Sequence, residues 1–273
     1  MNKGKERPVQ QVALFNIPRK TNHQPHPVLP FNTYPVRPSS FAASLGSTVV
    51  VAPHPDDEAL GCGGLLALLR RAGRPVAAVL VSDGTMSHPA SVRFPAAARA
   101  AVRAAEFRDA LAILGVDVGP LLLGLPDGRV PTATHELGFA DAVRQLQAFL
   151  QKHKAATVLV PWRRDPHPDH RATSQLVEGA LATLPHPPRR LEYVVWAWER
   201  AAPDDLPAAT DGVVGFRLDI GNVVPQKQRA IAAHRSQVAP GIFTDDPDGF
   251  LLSAEMLAHF AGPHEVFLEA LEQ

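Results

Sequence analysis

Residues Val49 to Gly64 read Val-Val-Val-Ala-Pro-His-Pro-Asp-Asp-Glu-Ala-Leu-Gly-Cys-Gly-Gly, and this stretch decides the fold. An apolar run predicts a buried strand over Thr48–Ala52, and a helical pattern begins at Ala59. A histidine and three acids lie between them, within the five positions from His54 to Glu58. Such a cluster is costly to desolvate unless a cation or a reaction uses it. The stretch therefore predicts a strand, a turn and a helix, with a functional site at the turn.

A second cluster of the same kind follows another apolar run. The predicted strand Thr157–Pro161 is followed by Asp165-Pro-His-Pro-Asp-His170. Imidazole and carboxylate groups are common ligands of zinc and similar divalent ions, and a catalytic site takes three protein ligands and leaves one position open. We therefore expect the two strand ends to form the two halves of one metal site.

The adjacent carboxylates of Asp56 and Asp57 are expected to have different roles. One would bind the metal, and the other would hold a proton near the reacting water. The structural alternative is that both acids cap the next helix, whose N-terminus attracts negative charge. That alternative explains neither His54 nor the second cluster. The following Gly61-Cys-Gly-Gly-Leu-Leu66 lacks the glycine spacing of a dinucleotide site, so its glycines predict close packing and Cys62 a core thiol.

Short apolar runs alternate with helical patterns from Ser47 onward. The predicted strands are Thr48–Ala52, Val76–Ser82, Pro120–Leu123, Thr157–Pro161, Leu191–Trp198 and Val213–Leu218. The predicted helices are Ala59–Ala72, Ala96–Leu114, Leu137–His153, His170–Leu184, Pro225–His234 and Ala254–Phe260, with Gly73 and Gly115 as left-handed caps. This alternation predicts one α/β domain, a mostly parallel sheet with helices on both faces, whose ligands bind outside the carboxyl ends of the strands.

The first 45 residues differ in composition from the rest of the chain. Prolines recur at positions 8, 18, 25, 27, 30, 35 and 38 among polar and basic residues. Because proline-dense polar sequence cannot build hydrogen-bonded ladders, we expect residues 1–45 to be an extended arm and residues 46–273 to be the folded domain. The arm is either a loose tail or a segment that wraps the domain or a neighbouring subunit through Phe15, Phe31 and Tyr34. The second alternative would make the protein a homo-oligomer.

Composition excludes several classes of partner. Among the 273 residues, Lys+Arg and Asp+Glu both total 27, so no global charge draws the chain to nucleic acid or anionic lipid. The single cysteine, Cys62, rules out an internal disulfide framework. No run of about 18 apolar residues could span a bilayer, and Met1–Arg7 is too charged to begin a signal peptide's apolar core. We therefore expect a cytoplasmic protein without an integral membrane span.

The two clusters and several shorter motifs together resemble the PIG-L/LmbE family of metal-dependent N-deacetylases. The motifs are His54-Pro-Asp-Asp-Glu58, Ser82-Asp-Gly84, Arg103-Ala-Ala-Glu106, Leu123-Gly-Leu-Pro-Asp-Gly128, His167-Pro-Asp-His170 and Ala233-His-Arg-Ser-Gln237. The resemblance spans about residues 47 to 270 and leaves out the proline-rich arm. It implies a Rossmann-like fold.

The resemblance also implies roles for individual residues. His54, Asp57 and His170 would bind one divalent metal ion, most simply zinc, with iron(II) as a second choice. Asp56 would be the general base. His167 would stabilise the oxyanion and help protonation.

Three further residues would bind substrate hydroxyls by the same resemblance: Arg103, Asp127 and His234. Each also has a structural interpretation. Arg103 could pair with Glu106 across one helical turn, Asp127 lies in a Pro-Asp-Gly turn sequence, and His234 could end a helix.

The function implied is hydrolysis of the acetyl amide of an N-acetylglucosamine-type sugar conjugate, a small molecule. Two alternatives remain open. A two-metal phosphoesterase would need ligands for a second ion, for which Glu58, Asp83 and Asp169 are the spare acids. A non-catalytic sugar-binding module on the same fold would need no base, so the intact Asp56 argues against it.

Overall fold

Eight strands pair into one sheet in the computed structural model, which describes residues 29–132 and 135–271. The strands are β1 (Val36–Arg37), β2 (Thr48–Ala52), β3 (Val76–Ser82), β4 (Leu121–Leu125), β5 (Thr157–Pro161), β6 (Arg189–Tyr193), β7 (Val213–Asp219) and β8 (His264–Ala270). Their order across the sheet is β1-β7-β8-β6-β5-β2-β3-β4. Five of the pairs are parallel, and β8 runs antiparallel to both β6 and β7.

Helices cover both faces of this sheet. They are α1 (Asp57–Arg71), α2 (Ala96–Ile113), α3 (Phe139–Lys152), α4 (Pro168–Ala182), α5 (Ala197–Arg200), α6 (Val224–Ala233), α7 (Arg235–Val238) and α8 (Ala254–His259). The central strand β2 is buried on both sides, since Val50 packs into a core with α1, α2 and α6. Val49 and Val51 pack into a second core with α3 and α4. The predicted single α/β domain with a mostly parallel sheet is confirmed.

The buried central strands were predicted most accurately, because continuous apolar runs between turn residues mark them. The bounds of β2, β3 and β5 agree residue for residue with the prediction. The predicted strand Leu191–Trp198 is wrong in its second half, because the strand ends at Tyr193 and Ala197–Arg200 is a short helix. Gly73 and Gly115 have φ of 71° and 84°, as left-handed caps require.

Two glycines let α1 approach the sheet closely. A Cβ atom on Gly61 would lie 2.3 Å from Cδ2 of Tyr193 on β6, and one on Gly64 would lie 2.7 Å from Ile220 side-chain atoms. Between them, Cys62 is buried and has non-helical backbone angles (φ −147°, ψ 16°), so α1 is kinked there. The close packing fixes the first turn of α1, which carries the first acidic cluster.

Part of the proline-rich segment packs on the domain. Phe31 is fully buried, and its ring centroid lies 5.0 Å from that of Trp198. Val36 and Arg37 pair with β7, which makes this segment an edge of the sheet. Phe15 lies outside the described residues, and the boundary between arm and domain at residue 45 stays a prediction. Within the part of the chain that the structure describes, no helix combines the length and apolar character needed to cross a membrane.

Candidate metal centre and active site

The sheet topology brings the two acidic clusters together. β5, β2 and β3 are neighbouring parallel strands, so their carboxyl ends lie at the same edge of the sheet. The first cluster follows β2 and the second follows β5. The loops after β3 and β4 reach the same edge, where Met86 N–H donates to the Asp127 carboxylate over 2.8 Å. The candidate site is therefore assembled from four loops at one end of the sheet.

Asp57 lies at the centre of the cluster. Its Oδ2 atom is 3.3 Å from Nδ1 of His54 and 3.2 Å from Nε2 of His170. All three side chains are buried. Burial raises the pKa of Asp57, whereas the imidazoles of His170 and His54 lower it, and the net shift is downward. The carboxyl group is thus held as a carboxylate between two imidazoles.

Two of the three separations within this set suit a divalent cation. Tetrahedral zinc with N and O ligands at about 2.0–2.2 Å places neighbouring ligand atoms about 3.3 Å apart, which is the separation seen on both sides of Asp57. The ring nitrogens of the fully buried His170 face Asp57 Oδ2 at 3.2 Å and Asp165 Oδ1 at 3.4 Å, and neither contact has hydrogen-bond geometry. Buried polar atoms are normally satisfied, so a ligand for Nε2 is expected here.

Outer carboxylates orient both histidines. Asp165 Oδ1 lies 3.4 Å from Nδ1 of His170. Asp169 Oδ2 and Asp127 Oδ1 lie 3.1 Å and 3.3 Å from Nε2 of His54. Carboxylates on the far nitrogen of a ligating histidine fix its tautomer and raise its basicity, as is usual at metal centres. The pKa of His54 is raised well above its ordinary value, because these acids outweigh the opposing effect of burial.

Among the described residues, two sets of three side chains converge within reach of one ion, and neither includes Asp57. Single ligand atoms of His54, His167 and His170 all lie within 4.8 Å of one another. The same holds for His54, Asp127 and Asp169. The carboxylate of Asp169 already accepts hydrogen bonds from the backbone N–H groups of Gly128 and Val130, so this second set is committed to holding the loop after β4.

Asp56 is the acid left beside the centre. It is buried, and its φ of 138° is a conformation that side chains rarely adopt and that is found mostly at functional sites. Its Oδ2 atom accepts a hydrogen bond of 3.3 Å from Arg103. Burial, and to a lesser extent Asp57, raises the pKa of Asp56 to about 7 against the opposing effect of Arg103. This carboxyl group can exchange a proton near neutral pH.

Arg103 is a positioning group for this turn. Its guanidinium donates to the carbonyl of Pro55 over 2.8 Å and to that of Gly84 over 2.9 Å, besides Asp56. It is almost fully buried and lies on α2. The simple pairing of Arg103 with Glu106 is not what the structure has, since the Glu106 carboxylate accepts from the N–H and the hydroxyl of Ser236.

His167 faces His54 and His170 from the start of α4. Its ring centroid lies 4.7 Å from that of His54 and 5.1 Å from that of His170. The backbone N–H of Asp169 donates to Nδ1 of His167 over 3.2 Å. Burial and the nearby imidazoles lower the pKa of His167 to about 3, so the neutral ring carries its proton on Nε2. That N–H is left to donate to a ligand.

The other two predicted substrate residues also contact protein groups. His234 is fully buried, and its Nε2 atom lies 2.7 Å from Oε1 of Glu58. The second oxygen of Glu58 accepts from the N–H of Asp56 over 3.1 Å. His234 therefore supports the turn that carries Asp56, and Asp127 supports His54. A direct contact of Arg103, Asp127 or His234 with substrate stays a prediction.

Sequence reasoning left the roles of three nearby residues unassigned. Asp165 and Asp169 lie inside the second cluster, and only their distances to His170 and His54 show that they orient these rings. The indole of Trp196 stacks on His167, with centroids 6.2 Å apart and planes inclined by 29°. Nothing in the local sequence marked Trp196.

The comparisons with known proteins point to one family. Residues 49–181 match the family model described as PIG-L, GlcNAc-PI de-N-acetylase. The 2'-N-acetylparomamine deacetylase of Streptomyces fradiae is 34% identical over 210 residues, which are 70% of this chain and 74% of that protein. The 1D-myo-inositol 2-acetamido-2-deoxy-alpha-D-glucopyranoside deacetylase of Actinosynnema mirum is 28% identical over 226 residues, 70% of this chain and 80% of that protein.

Solved structures give the same assignment. The N,N'-diacetylchitobiose deacetylase of Pyrococcus horikoshii superposes with a TM-score of 0.56 at 25% identity, and the match covers 71% of each chain. The segment that the family model matches contains both clusters. The chain belongs to the PIG-L/LmbE family of metal-dependent N-deacetylases.

Proposed function

We propose that this protein hydrolyses the acetyl amide of an N-acetylglucosamine-type sugar conjugate, with a divalent cation held by His54, Asp57 and His170. The observation that carries the proposal is the position of Asp57 Oδ2, 3.3 Å and 3.2 Å from one nitrogen of each histidine. Asp56 lies beside this set without belonging to it and is oriented by Arg103. Three ligands and a free carboxylate are the components that metal-assisted amide hydrolysis needs.

A bound divalent cation would supply a water molecule of lowered pKa and would polarise the amide carbonyl. Asp56 takes the proton that the attacking water loses, while the water oxygen bonds to the acetamide carbon. The Nε2–H group of His167 donates to the carbonyl oxygen as negative charge develops there. The C–N bond then breaks, Asp56 returns its proton to the nitrogen, and the free amine leaves with acetic acid, which releases its remaining proton to solvent to become acetate.

The neutral state of His167 assigns the proton delivery to Asp56. A pKa of about 3 leaves the imidazole of His167 uncharged at neutral pH, so it acts as a hydrogen-bond donor. Asp56, whose pKa is raised to about 7, can both accept and return a proton in that range. Arg103 fixes the direction of this carboxylate through its contact with Oδ2.

Zinc is the cation that we propose, with iron(II) as the second choice. Two imidazole nitrogens and one carboxylate oxygen are ligands that both ions accept. The spacing of about 3.3 Å expected for tetrahedral zinc agrees with the distances around Asp57. One ion per chain is proposed.

The substrate class follows from what the named relatives share. The deacetylases from Streptomyces fradiae, Actinosynnema mirum and Pyrococcus horikoshii are named for acetylated amino sugars joined to different second groups. We propose the same reactive unit here, an acetamido sugar within a small conjugate. The cytoplasmic location and a homo-oligomer formed through the arm stay predictions.

The two alternatives are less well supported. A phosphoesterase with two ions would need free acids, but Glu58 is engaged with His234, and Asp169 with His54. Asp83 Oδ1 accepts from the N–H and the hydroxyl of Thr85. A sugar-binding module would have no use for a buried, strained Asp56.

Amine release from a panel of N-acetyl sugars tests the proposal. The panel contains 2'-N-acetylparomamine, the inositol-linked glycoside, N,N'-diacetylchitobiose and a methyl glycoside of N-acetylglucosamine. Release that stops with EDTA and returns with zinc or iron(II) is the expected result. Absence of release from every sugar, by protein loaded with either metal, would contradict it. Cleavage of a phosphate ester with two metals bound per chain would favour the phosphoesterase.

A further inference from the structure

A half-open cavity of about 250 Å³ lies beside the candidate site and is lined by none of the proposed catalytic or metal-binding residues. Its lining includes the side chains of His88, Ser236, Ala239, Phe243, Asp246 and Leu251. They come from two segments, the loop after β3 and the chain that follows α6. No side chain that lines this cavity has a role in the proposed mechanism.

The two segments that line the cavity are also hydrogen-bonded to residues that position the candidate site. On one side, the loop that carries His88 also provides Gly84, whose carbonyl accepts from Arg103 over 2.9 Å. On the other side, Ser236 donates through its N–H to Glu106 over 2.9 Å. Glu106 lies one helical turn beyond Arg103 on α2. Because Arg103 contacts Asp56, a chain of contacts joins this wall of the cavity to the side of the site where Asp56 lies.

Hydrogen bonds between the two segments fix the cavity's shape. The carboxylate of Asp245 accepts from the N–H groups of Val92 and Arg93 over 2.8 Å and 2.7 Å. The N–H of Phe250 donates to the carbonyl of Ser87 over 2.6 Å. These bonds tie the outer chain to the loop after β3 at both ends of the cavity. A preformed cavity loses little free energy to ordering when a ligand enters.

The lining combines an aromatic ring with polar atoms that have no hydrogen-bond partner among the described residues. The ring of Phe243 is held between those of His88 and Phe94, at centroid distances of 4.8 Å and 5.2 Å. The Oδ2 atom of Asp246 accepts from the N–H of Ala90, whereas Oδ1 has no hydrogen-bond partner among the described residues. Nε2 of His88 is likewise without one in the described part of the chain, since only its Nδ1 atom contacts Ser87. One acceptor and one imidazole nitrogen are thus available to a ligand.

We infer that this cavity is the subsite for the second group of the conjugate, and that this group is a ring bearing hydroxyl or amino substituents. The inference rests on the proposed function and names the part of the substrate beyond the acetamido sugar. The face of such a ring packs on Phe243 and Leu251, and its substituents donate to Asp246 Oδ1 and bond to His88 Nε2. The volume lies below the ~300–1,000 Å³ of pockets for drug-sized ligands, so it suits one ring and not a whole conjugate.

Filling the cavity tests this assignment. Ala239 has extended backbone (φ −145°, ψ 145°), which accepts a larger side chain, and Ala239→Phe would place a ring in the cavity. The measured quantity is the ratio of kcat/KM for the inositol-linked glycoside to kcat/KM for the methyl glycoside. We expect a wild-type ratio well above 1 that falls about tenfold or more in Ala239→Phe, as when a specificity pocket loses its substrate group. Ala258→Phe, at an exposed position on α8, is the matched control and should keep the wild-type ratio.

If circular dichroism shows that Ala239→Phe is not folded, a second variant, Asp246→Asn, tests the subsite. Asp246→Asn keeps the shape and the acceptor for Ala90 but removes the charge, so the ratio should again fall about tenfold, the value of a charge-assisted hydrogen bond. A wild-type ratio near 1, or a ratio that both folded variants leave unchanged, would overturn the subsite while leaving the deacetylase intact. Release from no sugar of the panel would instead refute the proposed function, and the subsite with it.

Discussion

The Oδ2 atom of Asp57 lies 3.2 Å from the Nε2 atom of His170, although the two residues follow different strands of the sheet. β2 and β5 are adjacent and parallel, so the residues that follow them emerge at the same edge. The β-sheet therefore creates this contact. If both groups bind one ion, their placement by the sheet would lower the ordering that metal binding requires.

Replacing Asp57 should remove the metal. Asp57→Ala takes away the central carboxylate and leaves the imidazoles of His54 and His170 without their shared partner. Zinc affinity should fall by more than the ~10–100-fold that is lost when an outer partner of a ligand is removed. Zinc titration and elemental analysis after dialysis measure the effect.

Asp117→Ala is the matched control, since its side chain is 75% exposed in the loop between α2 and β4 and pairs with Arg70, which is not part of the candidate site. It should bind zinc as the wild type does. Full zinc occupancy in dialysed Asp57→Ala would mean that the ligand set lies elsewhere, with His167 as the first candidate.

Replacing Asp56 should separate catalysis from metal binding. Asp56→Asn keeps the size of the side chain and an oxygen for Arg103 but cannot take a proton. Turnover of an N-acetyl sugar should fall about 10²–10⁴-fold, the usual contribution of a positioned acid–base group. Zinc content should remain at the wild-type level. Parallel assays of amine release and bound zinc measure the two quantities.

Asp109→Asn, an exposed change on α2, is the control for Asp56→Asn and should leave both quantities unchanged. Two results would contradict the role of Asp56 as base. One is near-normal turnover in Asp56→Asn. The other is loss of zinc in parallel with activity, which would make Asp56 a ligand.

Local sequence patterns predicted the buried strands that are continuous apolar runs. The strands β2, β3 and β5 were predicted because each is an unbroken apolar run. β8 was not predicted, since His264, Glu265 and Glu269 interrupt its apolar pattern. Its burial depends on pairing with β6 and β7, which lie far away in the sequence. The short β1 is likewise defined only by its pairing with β7.

The candidate site was likewise only partly predictable from the sequence. The two clusters stood out because chemically reactive residues lie close together in sequence. The contacts of those residues with their partners did not, because these contacts join distant elements, and the sequence had named Arg103 and His234 only as candidate substrate-binding residues. Arg103 reaches Asp56 from α2, and His234 reaches Glu58 from the end of α6. A sequence read locally names the residues of a centre, whereas their orientation depends on long-range contacts.

Neighbouring glycines in α1 should respond oppositely to the same change. Gly61→Ala places a Cβ atom 2.3 Å from the buried ring of Tyr193, whose hydroxyl is bonded to the carbonyl of Val51. The ring has no room to move, so the free energy of unfolding should fall by about 1–3 kcal/mol. Gly63→Ala meets its nearest atom, Cγ of Lys227, at 3.4 Å, an ordinary contact. Its free energy of unfolding should rise by up to about 1 kcal/mol.

Urea denaturation of both glycine variants compares them directly. The difference in sign is the informative result, because both substitutions add the same methyl group to the same helix. Equal destabilisation by the two changes would show that helix backbone geometry, and not the contact with Tyr193, requires these glycines.

A buried ion pair should stabilise the kink in α1. Glu265 on β8 accepts from the N–H groups of Gly64 and Leu65, just past the kink, over 2.6 Å and 2.8 Å. Nζ of Lys227 on α6 lies 2.8 Å from the same carboxylate, and both charged side chains are 1% exposed. Lys227→Met would leave Glu265 as an uncompensated buried charge. The free energy of unfolding at neutral pH should fall by about 3–5 kcal/mol.

The double variant Lys227→Met with Glu265→Gln separates the charge from the packing. It removes both charges, and the amide oxygen of the new glutamine still accepts from the kink, so it should be more stable than Lys227→Met alone. Lys152→Met, at an exposed position on α3, should change the free energy of unfolding by no more than about 0.5 kcal/mol. Urea denaturation of the four proteins at one pH measures these differences. If the double variant is the less stable of the two, the glutamate charge itself stabilises α1 independently of Lys227, and the helix N-terminus past the kink is its main partner.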